Sequence, residues 1–158
     1  MKQCRRIIFA AETGTCRAPM AMGLLIAQKL DFPVEIQARG LVVLFPEPLN
    51  QKAEAVMAGK GIRLENFKST PLRDEDFSDD TLVLVFGEDH RKKILEEYPR
   101  AKNVHVLTEL TGDELEIMDP YGGDLATYGL CLESMVKPIR TLAKMLNQAF
   151  RTGQQAAD

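Results

Sequence analysis

The chain has 158 residues, of which 45% are hydrophobic and 27% are charged. This length fits one domain with a sizeable core, and no apolar run approaches the roughly 18 residues that a membrane-spanning helix needs. The net charge of −3 argues against nucleic acid or an anionic membrane surface as the main partner.

Apolar runs typical of strands alternate along the chain with helical patterns. The predicted strands are residues 7–10, 34–38, 81–86 and 104–107, and the predicted helices are residues 19–30, 49–57, a segment starting at 88, and 128–146. This alternation predicts an α/β domain with a four-stranded, doubly wound parallel sheet and helices on both faces. We assign residues 1–151 to this domain and residues 152–158 to a polar C-terminal tail.

The loop after the first strand carries the strongest functional indication. It lies between the apolar run 7–10 and the helix that Pro19 opens, at the carboxyl end of a strand, where open α/β sheets bind ligands. Consecutive backbone N–H groups and a helix N-terminus form a cradle for anions. The loop is therefore expected to bind a phosphate-like anion.

Two motifs carry a resemblance to a known family. The loop ends in the sequence Cys16-Arg17-Ala18-Pro19-Met20-Ala21, and the turn Asp119-Pro120-Tyr121-Gly122-Gly123 follows far downstream. With these motifs, nearly the whole chain resembles the bacterial type of low-molecular-weight protein-tyrosine phosphatases, which share a fold with arsenate reductases. The resemblance implies a flavodoxin-like three-layer sandwich and an ancestral activity on phosphotyrosine or phosphoarginine in proteins.

The resemblance also gives roles to individual residues. The family's phosphate loop has a cysteine nucleophile, five variable residues, an arginine that binds two phosphate oxygens, and a serine or threonine. Ala11 stands in the place of the nucleophile, Arg17 in that of the arginine and Ala18 in that of the hydroxyl residue. Asp119 matches the general acid and Tyr121 an aromatic residue of the pocket wall. The implied phosphate-binding residues are Glu12, Thr13, Gly14, Thr15, Cys16, Arg17 and Ala18.

Losing the thiol changes the expected function. A methyl group cannot attack phosphorus, and without a thiolate the hydroxyl missing at Ala18 has no task. We therefore expect a catalytically inactive homologue that binds a phosphoprotein or a phosphate-like anion, with no cofactor and no metal. Thr15 resembles the corresponding residue of members that act on phosphoarginine. The sequence predicts no oligomeric state.

Two alternatives remain open. The chain could hydrolyse phosphomonoesters with an unusual nucleophile such as Glu12; Cys16 does not qualify, because Met22 rather than an arginine lies six positions beyond it. It could also be a protein-interaction scaffold whose pocket is filled by an Arg17–Glu12 pair. His90 is expected at the surface without a catalytic role. Three cysteines without metal-ligand spacing favour reduced thiols and a cytoplasmic location.

Overall fold

The computed structural model describes residues 1–157, and its strands and helices alternate as predicted except for a short additional helix at Leu107–Thr111. The strands are β1 (Arg6–Ala11), β2 (Glu35–Gly40), β3 (Thr81–Val85) and β4 (Val104–Val106). The helices are α1 (Arg17–Ala27), α2 (Gln51–Ala58), α3 (Glu88–Glu97), α4 (Leu107–Thr111) and α5 (Leu125–Ala157).

The four strands form one parallel sheet in the order β2-β1-β3-β4. Because side chains alternate along a strand, Ile7 and Phe9 pack on one face with α1, α2 and α5, whereas Ile8 and Ala10 pack on the other against Ile94 of α3. Helices therefore cover both faces, and the flavodoxin-like α/β fold is confirmed. Strand β1 has β2 on one side and β3 on the other, so the strand order reverses there. In this topology the ligand crevice lies between the carboxyl ends of β1 and β3.

The polar C-terminal tail continues the last helix of the domain. Helix α5 runs without a break through Ala157, so residues 152–157 are helical. Phe150 stacks on Phe32 with ring centroids 4.9 Å apart, and Arg151 lies 3.0 Å from Asp31. These contacts hold the helix against the body of the domain as far as residue 151, and no proline follows. Asp158 lies outside the described residues. Within residues 1–157, no helix combines the length and the apolar character that crossing a membrane requires.

Candidate anion-binding site

The loop between β1 and α1 turns its carbonyl groups toward the neighbouring segments. The backbone N–H groups of Leu41 and Val42 donate to the carbonyls of Ala11 and Glu12 at 2.9 and 2.8 Å, and that of Asn50 donates to Thr15 at 3.0 Å. In a planar trans peptide the carbonyl and the next N–H point in opposite directions. The N–H groups that follow these three carbonyls therefore point away from the segments that hold the loop.

Two glycines allow the loop to approach β2 closely. A Cβ atom on Gly40 would lie 2.6 Å from the carbonyl oxygen of Thr13, and one on Gly14 would lie 2.8 Å from the backbone nitrogen of Gly40. Gly14 also has a φ of +72°, in the left-handed region that side chains disfavour. The loop conformation therefore depends on glycine at both positions.

The inward side of the loop is rich in free donors. Among the hydrogen bonds of residues 1–157, none uses the backbone N–H of residues 12–17 as its donor. Buried or partly buried N–H groups nearly always find a partner, and the N-terminus of α1 adds its partial positive charge. The arrangement fits an anion that accepts several of these hydrogen bonds at once.

Arg17 lies at the start of α1 with its guanidinium buried. Its Nη1 donates to the carbonyl of Ile117 at 3.0 Å, its Nη2 lies 3.7 Å from Oδ2 of Asp119, and its Cζ lies 5.5 Å from the centroid of the Phe86 ring. Side-chain exposure is only 9%. These contacts place a permanent positive charge at the loop and bring together two of the residues predicted from the motifs.

Asp119 and Tyr121 form an exposed turn at the edge of the site. Oδ1 of Asp119 accepts a hydrogen bond of 3.1 Å from the backbone N–H of Tyr121, and the carboxylate is half exposed. Tyr121 is 84% exposed, and its role in the pocket wall stays a prediction. Beside this turn a groove contains the exposed side chains of Leu115, Met118 and Leu130.

Glu12 does not fill the loop. Its carboxylate lies 3.5 Å from Nε2 of His90 and 3.9 Å from Nζ of Lys93, both on α3. The Arg17–Glu12 pair of the scaffold alternative is therefore absent, because Arg17 faces Asp119 and Glu12 faces α3. His90 is buried, contrary to the expected surface position, and its Nε2 faces the carboxylate of Glu12.

The sulfur atoms around the site are poor nucleophiles. Burial raises the pKa of Cys16 to about 12, assisted by Cys131 and Asp119, and burial raises that of Cys131 to about 11. Only a thiolate attacks phosphorus efficiently, and both groups are thiols near neutral pH. Ala11 and Ala18 are buried methyl groups in the core. No group of three or more potential metal ligands exists within residues 1–157.

Sequence reasoning missed residues near the anion-binding loop that lie on α3 and in the segment before Asp119. Besides His90 and Lys93, it missed Glu116, whose Oε2 accepts a 2.7 Å hydrogen bond from the backbone N–H of Glu88. Glu116 thereby satisfies the start of α3 in place of the side chain that Gly87 lacks. The sequence carried one indication of such a contact. The helix predicted to begin at Glu88 follows Gly87, which has no side chain to cap it.

Comparisons with known proteins cover almost the whole chain. The model of the family described as low molecular weight phosphotyrosine protein phosphatase matches residues 6–152. A protein-arginine-phosphatase of Geobacillus stearothermophilus is 30% identical over 143 residues, which cover 89% of this chain and 95% of that protein. The low molecular weight protein-tyrosine-phosphatase PtpB of Staphylococcus haemolyticus is 26% identical over 131 residues, covering 83% and 92%. The solved structure of the YwlE arginine phosphatase from Geobacillus stearothermophilus superposes with a TM-score of 0.84 at 29% identity, covering 98% and 97%.

Proposed function

Since this chain belongs to the low molecular weight phosphotyrosine protein phosphatase family, we propose that it binds a phosphorylated protein side chain at residues 11–18 without hydrolysing it. The observation that carries the proposal is the combination of free N–H donors at residues 12–17 with a methyl group at Ala11. The donors support binding, whereas the methyl group removes the nucleophile.

Electrostatics favours a phosphate group in this loop. Backbone donors at a helix N-terminus bind anions, and the planar guanidinium of Arg17 can hold two oxygens of the same phosphate. Removal of the thiolate expected at position 11 also removes a negative charge beside the bound anion. At an effective dielectric constant of 20, one such repulsion across ~4 Å costs about 4 kcal/mol. The degraded loop would therefore retain or gain affinity for phosphate.

The absence of chemistry rests on the residues that surround the loop. The pKa of Cys16 is raised by burial to about 12, so it does not replace the missing thiolate. Glu12, the other candidate nucleophile, faces His90 and Lys93. Asp119, which matches the family's general acid, lies 3.7 Å from Arg17, but without a nucleophile it has no leaving group to protonate.

A protein is the proposed carrier of the phosphate. Leu115, Met118 and Leu130 are each at least 72% exposed in the groove beside Asp119, and exposed apolar side chains that cluster beside a site are typical of protein contacts. The relatives are named phosphatases of protein tyrosine and protein arginine, so phosphotyrosine and phosphoarginine are the proposed ligand classes. The unpaired thiols of Cys4, Cys16 and Cys131 favour a reducing compartment, and we extend the proposal to a cytoplasmic location.

Calorimetric titration with inorganic phosphate and vanadate tests the binding. We expect saturable heat with the native chain and at least a tenfold weaker affinity for Arg17→Ala, because one charge-assisted anion contact contributes about 1.5–3 kcal/mol. Lys92→Met, which removes an exposed positive charge on α3, is the control. No heat at millimolar anion would contradict the proposal.

A hydrolysis assay tests the proposed inactivity. The native chain is expected to release no phosphate from p-nitrophenyl phosphate or from phosphotyrosine and phosphoarginine peptides above the background of the Arg17→Ala variant. Turnover that survives purification and disappears in Glu12→Gln would instead establish the carboxylate as nucleophile and overturn the proposal.

A further inference from the structure

We propose that His90 and Lys93 are positioning residues, which hold the carboxylate of Glu12 on α3 and thereby keep it out of the anion cradle. The inference rests on the proposed function, because it concerns the same loop. It gives a role to a buried histidine and a lysine that neither the family motifs nor the sequence pattern assigned.

The carboxylate of Glu12 can compete with a bound anion for the N–H donors of this loop. It directly follows Ala11, and its backbone is fixed, since its carbonyl accepts a 2.8 Å hydrogen bond from Val42. Its side chain is 47% exposed, so packing leaves its torsions free to rotate, and rotation toward the loop would bring the carboxylate near the free N–H donors at residues 12–17. A carboxylate on those donors would occupy the site of the phosphate and repel a phosphate that approached.

Two contacts on α3 hold the carboxylate away. Nε2 of His90 lies 3.5 Å from one carboxylate oxygen, and Nζ of Lys93 lies 3.9 Å from the other. The two residues are three positions apart in α3 and so share a face of the helix. They approach Glu12 from the same side, and one nitrogen lies near each carboxylate oxygen.

His90 is buried, and its contact with Glu12 explains why a histidine occupies this position. Its side chain is only 9% exposed, and its Nδ1 is buried with no hydrogen-bond partner within residues 1–157. An unpartnered buried nitrogen costs stability, so packing alone would favour an apolar side chain at position 90. The contact with Glu12 is the interaction that an apolar side chain would lose.

Phosphate titration of combined variants tests the inference. In the chain with Glu12, His90→Leu and Lys93→Met together should weaken the affinity for inorganic phosphate by about fivefold or more, because the released carboxylate competes for the same donors. In a chain that carries Glu12→Gln, the same two changes should leave the affinity unaltered. If His90→Leu fails to fold, Lys93→Met alone gives the same comparison. Lys93→Arg, which keeps the positive charge, should bind phosphate as the native chain does.

Matched controls separate this role from a general one. Lys92→Met removes an equal charge from the neighbouring position, and its effect on affinity should be smaller than that of Lys93→Met. Equal affinities with and without His90 and Lys93 would overturn the inference and leave the proposed function standing. An equal loss in the native chain and in the Glu12→Gln chain would also overturn it, since the effect would then be structural. If the Glu12→Gln chain bound phosphate and the native chain did not, α3 would fail to restrain the carboxylate and the inference would be overturned. If neither chain bound phosphate, the proposed function would be overturned together with the inference.

Discussion

The guanidinium of Arg17 and the carboxylate of Asp119 lie next to each other at the edge of the site, with Nη2 and Oδ2 3.7 Å apart. Arg17 lies at the start of α1 and Asp119 in the turn before α5. The pair therefore connects the N-terminal and C-terminal parts of the chain. A second contact, from Arg17 Nη1 to the carbonyl of Ile117, fixes the guanidinium to the segment that carries Asp119. The buried cation is therefore partly neutralised before any anion arrives.

This pair predicts the effect of Asp119→Asn. Asparagine keeps an oxygen for the backbone N–H of Tyr121 and removes the negative charge near the phosphate. The affinity for inorganic phosphate should rise by about three- to tenfold, since the carboxylate is half exposed and its repulsion is screened. Titration calorimetry measures the change, and Glu96→Gln, an exposed carboxylate on α3, controls for net charge. A lower affinity in Asp119→Asn would show that the carboxyl group assists binding.

Gly40 gives a prediction for the integrity of the loop. In Gly40→Ala the new Cβ would meet the carbonyl of Thr13 at 2.6 Å, and backbone on both sides must shift. We expect the free energy of unfolding to fall by about 1–3 kcal/mol and the affinity for phosphate to fall with it.

Gly129→Ala is the matched control. It lies inside α5, where the added Cβ meets Val56 at 3.8 Å, and alanine there should stabilise the helix by up to about 1 kcal/mol. Urea unfolding followed by circular dichroism measures both variants. Equal stabilities of Gly40→Ala and the native chain would mean that the loop does not need its close approach to β2.

The fold could be predicted well because its determinants are local. The run 81–86 is apolar at nearly every position, as a strand buried on both faces must be, and β3 occupies Thr81–Val85. The strand predicted at 104–107 ends earlier, at Val106, because Leu107 opens the five-residue helix α4. A helix of this length is too short to show a hydrophobic period.

The site was predicted only as far as its motifs extend. The neighbourhood of Arg17 and Asp119 follows from the resemblance to the phosphatase family, which their two motifs carry. The contact of Glu12 with His90 does not, since it depends on the direction of two side chains on elements that meet only in three dimensions. Glu116 was missed for the same reason, because its hydrogen bond to Glu88 joins a loop to the first residue of α3 without a shared motif.

The thiols predict a pH dependence of stability. Burial raises the pKa of Cys4 and Cys131 to about 11 and that of Cys16 to about 12, against an ordinary value of 9.0. Folding therefore favours the protonated thiols, so this stabilisation is complete below pH 9 and is lost as the pH rises through 11 to 12. The native chain should show almost no thiolate absorbance at pH 9, whereas the unfolded chain should show about half of the full signal. Cys16→Ser identifies the contribution of that residue, and a native thiolate signal near pH 8 would contradict the prediction.

The double change Ala11→Cys and Ala18→Ser tests whether the cradle is still organised for catalysis. A thiol at position 11 would directly precede the free N–H groups of residues 12–17 and the N-terminus of α1, and such surroundings lower a thiol pKa and produce the reactive thiolate. We expect measurable hydrolysis of p-nitrophenyl phosphate by the double variant and about tenfold less or lower by Ala11→Cys alone, because the hydroxyl stabilises the developing charge. Ala11→Ser with Ala18→Ser is the control, since it has the same polarity without a thiolate, and it should remain inactive. Adding Arg17→Ala to the active variant should abolish turnover. An inactive double variant that binds phosphate as tightly as the native chain would mean that the loop holds an anion but no longer aligns an attacking atom with it.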